Sequence, residues 1–211
     1  METLSVYVLI GKTGSGKTSI LRCLNKYNLQ ILDLEHIAQN SGSVFGMHAH
    51  KKPAISQKEF NDKLLLQISL LTPNVPVITE WKGKKIGKFK IPDFLYSKLI
   101  SAPKIEIERC EYSRIQELKE AYRHLTIEEL YKCLFSLRSK FTENNFQCAL
   151  EALEKKDKTK FIQTLLHYYD SSSEYSRLCK INIVHKINWN SRQLMEVCEE
   201  MDSFFRNHHS Q

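Results

Sequence analysis

The chain has 211 residues, 42% of them hydrophobic, and its 31 Lys and Arg against 24 Asp and Glu give a formal net charge of +7. That length fills one well-packed domain and is short for two, so a single domain over residues 1–211 is expected. The composition excludes a disordered tail, a collagen-like repeat and a disulfide miniprotein. Leu4–Ile10, the first apolar run, is broken by Ser5. It is far below the roughly 18 to 20 residues a spanning helix needs, so no membrane partner is expected. The opening Met1-Glu2 has no basic n-region or small-residue cleavage site, which argues against a secretory signal. Six cysteines (Cys23, Cys110, Cys133, Cys148, Cys179, Cys198) show no Cys-x-x-Cys spacing. They read as reduced thiols of a cytoplasmic protein, most of them buried.

In chain order, Val6–Ile10 is a nearly continuous apolar run, as in a central parallel strand covered on both faces. A glycine-rich turn follows, then a helix over Thr18–Tyr27 with Ile20, Leu21 and Leu24 inward. Gln30–Leu34 reads as a strand, and Asn40–Gly46 as a Ser- and Gly-rich loop. Ser56 with Glu59 forms a capping box opening a helix that carries Phe60, Leu64, Ile68 and Leu71. Pro73 and Pro76 bracket a turn into the strand Val77–Thr79. Pro92 starts a helix through Ile100, and Ile105 and Ile107 mark another strand. A helical block spans about 111–170, read as one stretch to Lys156 and a second from Lys158 to Tyr169. Ile181–Val184 is a last strand and Ser191–Phe205 a last helix. Strands alternating with helices imply an α/β fold, P-loop NTPase-like, with a parallel sheet of about five strands, flanking helices and a helical insertion.

Gly11-Lys12-Thr13-Gly14-Ser15-Gly16-Lys17-Thr18 satisfies G-x-x-x-x-G-K-[ST] between a strand and a helix. Its glycines let successive backbone N–H groups face a phosphate, and the helix N-terminus adds partial positive charge. Lys17 would reach the terminal phosphates and Thr18 would ligate Mg²⁺. Ligands of open α/β sheets sit beyond the carboxyl ends of the strands. Asp33 and Glu35 fall there, as does Glu80. Asp33 and Glu80 are the candidates for holding Mg²⁺ or moving a proton, with Asp33 joining Thr18 as the metal pair; Glu35 has no preferred role.

Lys82, Lys84, Lys85, Lys88 and Lys90 follow Glu80 directly, with Lys51 and Lys52 as a smaller cluster. The run from Lys82 to Lys90 is a candidate for contact with phosphates of a nucleic acid or a second substrate, the alternative being a solvated loop. Arg109, Arg114, Arg123 and Arg138 lie in or beside the helical block, where small kinases place phosphate clamps; alone, each reads as a surface arginine. Tyr168-Tyr169-Asp170 and Tyr175 are either helix-end packing or a stacking surface for bases. His48 with His50, and His208 with His209, have no third ligand nearby, so no metal is assigned to them.

Several pieces together resemble the P-loop domain of tRNA 2-selenouridine synthase. They are the phosphate loop, Leu32-Asp33-Leu34-Glu35, Gly42-Ser43-Val44-Phe45-Gly46 and Ser56-Gln57-Lys58-Glu59-Phe60. Glu80, Ile86-Gly87 with Pro92, Arg114 with Tyr122, and Leu165–Asp170 with Tyr175 continue in that family's order. The resemblance implies a transferase acting on wobble 2-thiouridine of tRNA. It geranylates the sulfur from geranyl diphosphate, then replaces it with selenium from selenophosphate. The family's usual form carries a cysteine-bearing rhodanese domain ahead of the phosphate loop. Here the loop begins at Gly11, so a stand-alone P-loop part with a separate rhodanese-domain partner is expected. The resemblance thus implies tRNA and no DNA, with Lys82, Lys84, Lys85, Arg114 and Arg123 on tRNA and Lys17, Glu80 and Asp33 in the chemistry. Where the family has Glu-x-Glu-Ser-Arg, this chain reads Glu80-Trp81-Lys82-Gly83-Lys84. Lysine for carboxylate should weaken cation binding there and favour anions. Two other readings use the same loop: a small-molecule or nucleotide kinase holding ATP as its nucleoside triphosphate, and a non-catalytic tRNA-binding module.

Overall fold

The computed structural model describes residues 4–27, 29–39, 55–171 and 181–209. The readings made for Asn40–Gly46, His48, His50, Lys51, Lys52, Tyr175 and Cys179 lie outside these residues. Among the described residues the strands are β1 (Val6–Ile10), β2 (Gln30–Leu32), β3 (Val77–Glu80), β4 (Lys85–Ile86), β5 (Phe89–Lys90), β6 (Lys104–Glu108) and β7 (Ile183–Asn188). Five of them form one sheet in the order β2-β3-β1-β6-β7, and every pairing in it is parallel. A parallel sheet with a phosphate loop after its central strand makes this a P-loop NTPase-like α/β fold, as the sequence predicts.

The helices are α1 (Lys17–Leu24), α2 (Leu34–Ile37), α3 (Gln57–Ser69), α4 (Asp93–Ser101), α5 (Glu111–Ala121), α6 (Ile127–Ser136), α7 (Glu143–Glu154), α8 (Lys158–Ser171) and α9 (Leu194–His209). The period of two along β1 divides its side chains between the two faces. Val6, Val8 and Ile10 join Phe60 and Leu64 of α3 and Leu95 and Leu99 of α4 in one core. Leu9 joins Ile20, Leu21 and Leu24 of α1 and Val197, Cys198 and Met201 of α9 in the other. Both faces of β1 are therefore dry, which is why its sequence is apolar throughout rather than alternating.

Several expected elements differ in their bounds. β2 ends at Leu32 instead of Leu34, because the Asp33 carboxylate accepts the backbone N–H of His36 at 2.9 Å and caps α2. β7 begins later than expected, at Ile183, and runs to Asn188. The helical block is four helices rather than two stretches. Thr126 and Glu129 make a reciprocal capping box that restarts the chain at α6, and Thr142 caps α7 through Asn145. These helices enclose a core of their own, with Leu130, Cys133, Ala149, Phe161 and Leu165 in it. The capping box Ser56–Glu59 forms as read.

Candidate functional site

The carboxyl ends of β1 and β3 carry the loop and its acidic neighbour side by side, since Leu9 pairs with Glu80 in register. The loop turns on itself through the Ser15 N–H, which donates to the Lys12 carbonyl at 3.1 Å. Gly14 and Gly16 hold φ of +76° and +84°, a region that costs any residue with a Cβ. At Gly16 space is also missing: a Cβ would lie 2.1 Å from the Trp189 ring. The Lys17 ammonium donates to the carbonyls of Gly11 at 2.7 Å and Lys12 at 3.1 Å, so it is held across the mouth of the turn. The α1 backbone N–H groups open onto the same mouth.

Behind Lys17 stands a buried charge cluster. The Thr18 hydroxyl donates to both oxygens of Glu80, at 3.1 and 3.0 Å, and Glu80 is fully buried. The Lys82 ammonium lies 3.0 Å from Glu80 Oε2 and 2.6 Å from Glu35 Oε1. The Glu35 contact is off the line of a hydrogen bond, so Oε1 is held by charge and has no well-aligned donor. Burial pushes the Glu35 carboxyl up, against the pull of Lys82. Burial also depresses the Lys82 ammonium, but the charges of Glu80 and Glu35 outweigh it and raise it overall.

This corrects two expectations. Lys82 is not on a tRNA-facing surface, because two carboxylates at adjacent strand ends draw its ammonium inward. Asp33 is not the carboxylate beside Thr18: one of its oxygens caps α2 and the other lies 3.9 Å from Arg22 Nε. Glu80 takes that place. Glu35, given no role from sequence, proves to be the second partner of Lys82; its signal was hidden because the adjacency of β2 and β3 is a tertiary fact.

Arg114 is also corrected. It is 3% exposed, and its guanidinium forms two parallel bonds to Asp170, at 2.9 and 2.7 Å, while Nε donates to the Thr13 carbonyl at 2.8 Å. Lys12 reaches the same carboxylate at 3.3 Å. Asp170 and Arg114 thus fasten α8 and α5 to the phosphate loop. Tyr168 stacks on Phe141 at 4.3 Å and burial raises the Tyr169 phenol, so this aromatic pair packs the helical block instead of facing bases. On the other side of the loop, Ser19 donates to Glu117 at 2.9 Å, Glu117 pairs with Arg109 at 2.9 Å, and Arg109 lies 4.1 Å over the Trp189 ring that backs Gly16.

The remaining lysines form a surface. β4 and β5 make an antiparallel hairpin around Gly87, which has φ +56°, where a loop was expected. Ile86 and Phe89 turn inward, leaving Lys84, Lys85, Lys88 and Lys90 exposed. Asp93 answers Lys84 at 3.9 Å and Lys90 at 3.0 Å. Arg123 is exposed and pairs with Glu120 within α5. It lines a separate cavity of about 260 Å³ with the cations Lys119 and Lys158 and the apolar Leu130, Phe161 and Ile162. Arg138 pairs with Glu143 and lies over Phe146, a surface position.

The chain is 31% identical over 150 residues to an uncharacterised protein of Methanocaldococcus jannaschii, covering 66% of this chain and 63% of that one. It is 30% identical over 124 residues to a tRNA 2-selenouridine synthase of Nitrosomonas europaea, covering 57% of this chain and 31% of that protein. A Salmonella schwarzengrund protein of the same name gives 30% over 120 residues, 56% and 32%. The chain thus spans about a third of the length of the synthases it matches. A solved shikimate kinase from Acinetobacter baumannii in complex with shikimate aligns over 98% of this chain and 96% of its own at TM-score 0.46 and 15% identity. The model of the tRNA 2-selenouridine synthase AAA domain matches residues 4–175, most of the chain and the whole of the loop, the charge cluster and the Arg114–Asp170 clasp; the chain belongs to that family.

Proposed function

We propose that this chain is the P-loop part of a tRNA-modifying transferase of the 2-selenouridine synthase type, holding the diphosphate of geranyl diphosphate on Gly11–Thr18. The observation that carries the reading is the convergence of the Lys17 ammonium and the α1 N-terminus on one glycine turn. In geranyl transfer the carbon–oxygen bond to the diphosphate breaks as a carbon–sulfur bond to the thiolated uridine forms, pyrophosphate leaves, and the proton on the base's ring nitrogen is lost to solvent. Negative charge then grows on the leaving diphosphate, where Lys17 and the loop N–H groups stabilise it. Thr18 is fixed by Glu80, so Glu80 positions the loop rather than contacting the reacting carbon. The exposed lysines Lys84, Lys85, Lys88 and Lys90 supply phosphate contacts for tRNA at the same sheet edge. Selenium, delivered as selenophosphate, and the cysteine chemistry come from a separate rhodanese-domain protein.

The test is transfer to thiolated tRNA with the rhodanese protein present. Lys17→Ala is expected to abolish geranyl transfer and leave tRNA binding intact; full transfer by this variant refutes the role of the loop. Reversing Lys85 and Lys88 to Glu should weaken tRNA binding across sequences and lower its salt dependence by about one counterion per lost phosphate contact. Thermal-shift titrations separate the ligands, because a ligand of the native state raises the melting point with concentration. A shift with geranyl diphosphate supports the transferase. A shift with ATP or GTP alone moves the loop to phosphoryl transfer.

A further inference from the structure

We propose that the Lys82 ammonium is the resident cation of this phosphate loop, so that the chain takes its polyphosphate without a divalent metal. The inference rests on the reading of Gly11–Thr18 as a polyphosphate site and adds how its charge is balanced. The place a magnesium ion would take is beside the Thr18 hydroxyl, facing a carboxylate. Here the Thr18 hydroxyl donates to both oxygens of Glu80, at 3.1 and 3.0 Å, which leaves its lone pairs free but ties up the carboxylate that a metal would face. Glu80, fully buried, already faces the Lys82 ammonium at 3.0 Å. Glu35 holds that ammonium from the other side at 2.6 Å, so both carboxylates already face a cation. A divalent ion entering this cluster would meet a fixed positive charge within a few ångströms at low effective dielectric. Magnesium also demands near-octahedral oxygen ligands and keeps several waters. Among the described residues, no three His, Cys, Asp or Glu side chains gather where a metal ion could be held.

Lysine suits the task in a different way. Its ammonium has three donors, and contacts to Glu80 and Glu35 leave at least one for an incoming phosphate oxygen. The side chain is 18% exposed, so one side of it is open to that approach. Lys82 would then be a positioning group for the anion, set by Glu80 and Glu35 as Thr18 is set by Glu80.

The test uses the whole chain and two readouts. Electron paramagnetic resonance of added Mn²⁺ reports metal uptake by the protein alone, and calorimetry with inorganic pyrophosphate, in Mg²⁺ or in EDTA, reports anion binding. The wild type should take up no Mn²⁺ at this site and bind pyrophosphate equally well in both buffers. Lys82→Glu should gain Mn²⁺ uptake and bind pyrophosphate at least about tenfold more weakly in EDTA than in Mg²⁺. Lys82→Met, which adds no charge, serves if Lys82→Glu fails to fold: its pyrophosphate affinity should fall at least about tenfold below wild type in EDTA. Wild-type Mn²⁺ uptake that is lost in Thr18→Val overturns the inference, as does wild-type pyrophosphate binding that collapses in EDTA. If wild type binds no pyrophosphate in either buffer, the polyphosphate reading falls, and the Mn²⁺ readout still decides whether Lys82 excludes metal.

Discussion

Gly16 is fixed twice, by a φ of +84° and by the Trp189 ring 2.1 Å from where a Cβ would stand. Gly16→Ala should therefore cost at least about 2 kcal/mol in urea unfolding, from backbone strain alone, and weaken any loop ligand because Trp189 must move. The cysteines separate just as sharply. Cys110 and Cys148 are exposed, whereas Cys23, Cys133 and Cys198 are buried. The Ser113 hydroxyl beside Cys110, 3.3 Å from its sulfur, holds that thiol below the usual range, and burial pushes Cys133 up to about 11 and Cys198 higher still. Iodoacetamide at mildly alkaline pH should label Cys110 first and leave the three buried thiols unmodified in native protein, as read by peptide mass spectrometry. Burial holds for three of the five described cysteines, as the sequence suggested; the polarity of one thiol's surroundings was not legible, because Ser113 and Arg109 act through the turn at the end of β6.

Secondary-structure elements were legible wherever local chemistry decides them. The Ser56–Glu59 box is a four-residue signal and formed as read. The equally local Thr126–Glu129 box and the Thr142 cap were passed over inside a long helical pattern, and they are what divides the block. Thr126→Ala should cost about 1 kcal/mol in unfolding, and less if Glu129 is already changed, since the two bonds are reciprocal. The clasp between α8 and the phosphate loop was not legible, because Arg114 and Asp170 are 56 residues apart. Asp170→Ala leaves a guanidinium of 3% exposure with no carboxylate, so a loss of about 3 kcal/mol is expected in urea unfolding. The same variant should weaken ligand binding at the loop, because Arg114 also holds the Thr13 carbonyl.

At the scale of the whole molecule, a parallel sheet of about five strands followed from alternation, whereas the charge cluster needed the β2–β3 adjacency that alternation does not specify. Lys82 shows the difference. Its identity suggested an anion-facing surface, and only the pairing of two strand ends shows that its ammonium is drawn inward onto two carboxylates. Stability against pH carries the imprint of the helical core. The folded protein holds Cys133 protonated up to about pH 11, against 9.0 for an ordinary thiol. Between those values the folded state binds the more protons, so stability present below pH 9 is lost as pH rises towards 11. Lys82 adds to this in the same direction, since its raised ammonium contributes stability below its ordinary value of 10.5 that disappears above it. Urea midpoints should fall steeply from pH 9 upward, and the fall should flatten in Cys133→Ala even though that variant is less stable at neutral pH.

The wall behind Gly16 sets an order of assembly. The glycine turn lies near one end of the sequence and Trp189, which closes its back, lies near the other, just past the strand that follows the whole helical block. A ribosome delivers these from N to C, so a nascent chain emerging with the turn, its lysine and its carboxylates still lacks the surface that shapes them. Competence to bind a polyphosphate should therefore arrive late and abruptly during translation, when β7 docks against β6, and stalled chains ending before Trp189 should not be retained on immobilised pyrophosphate.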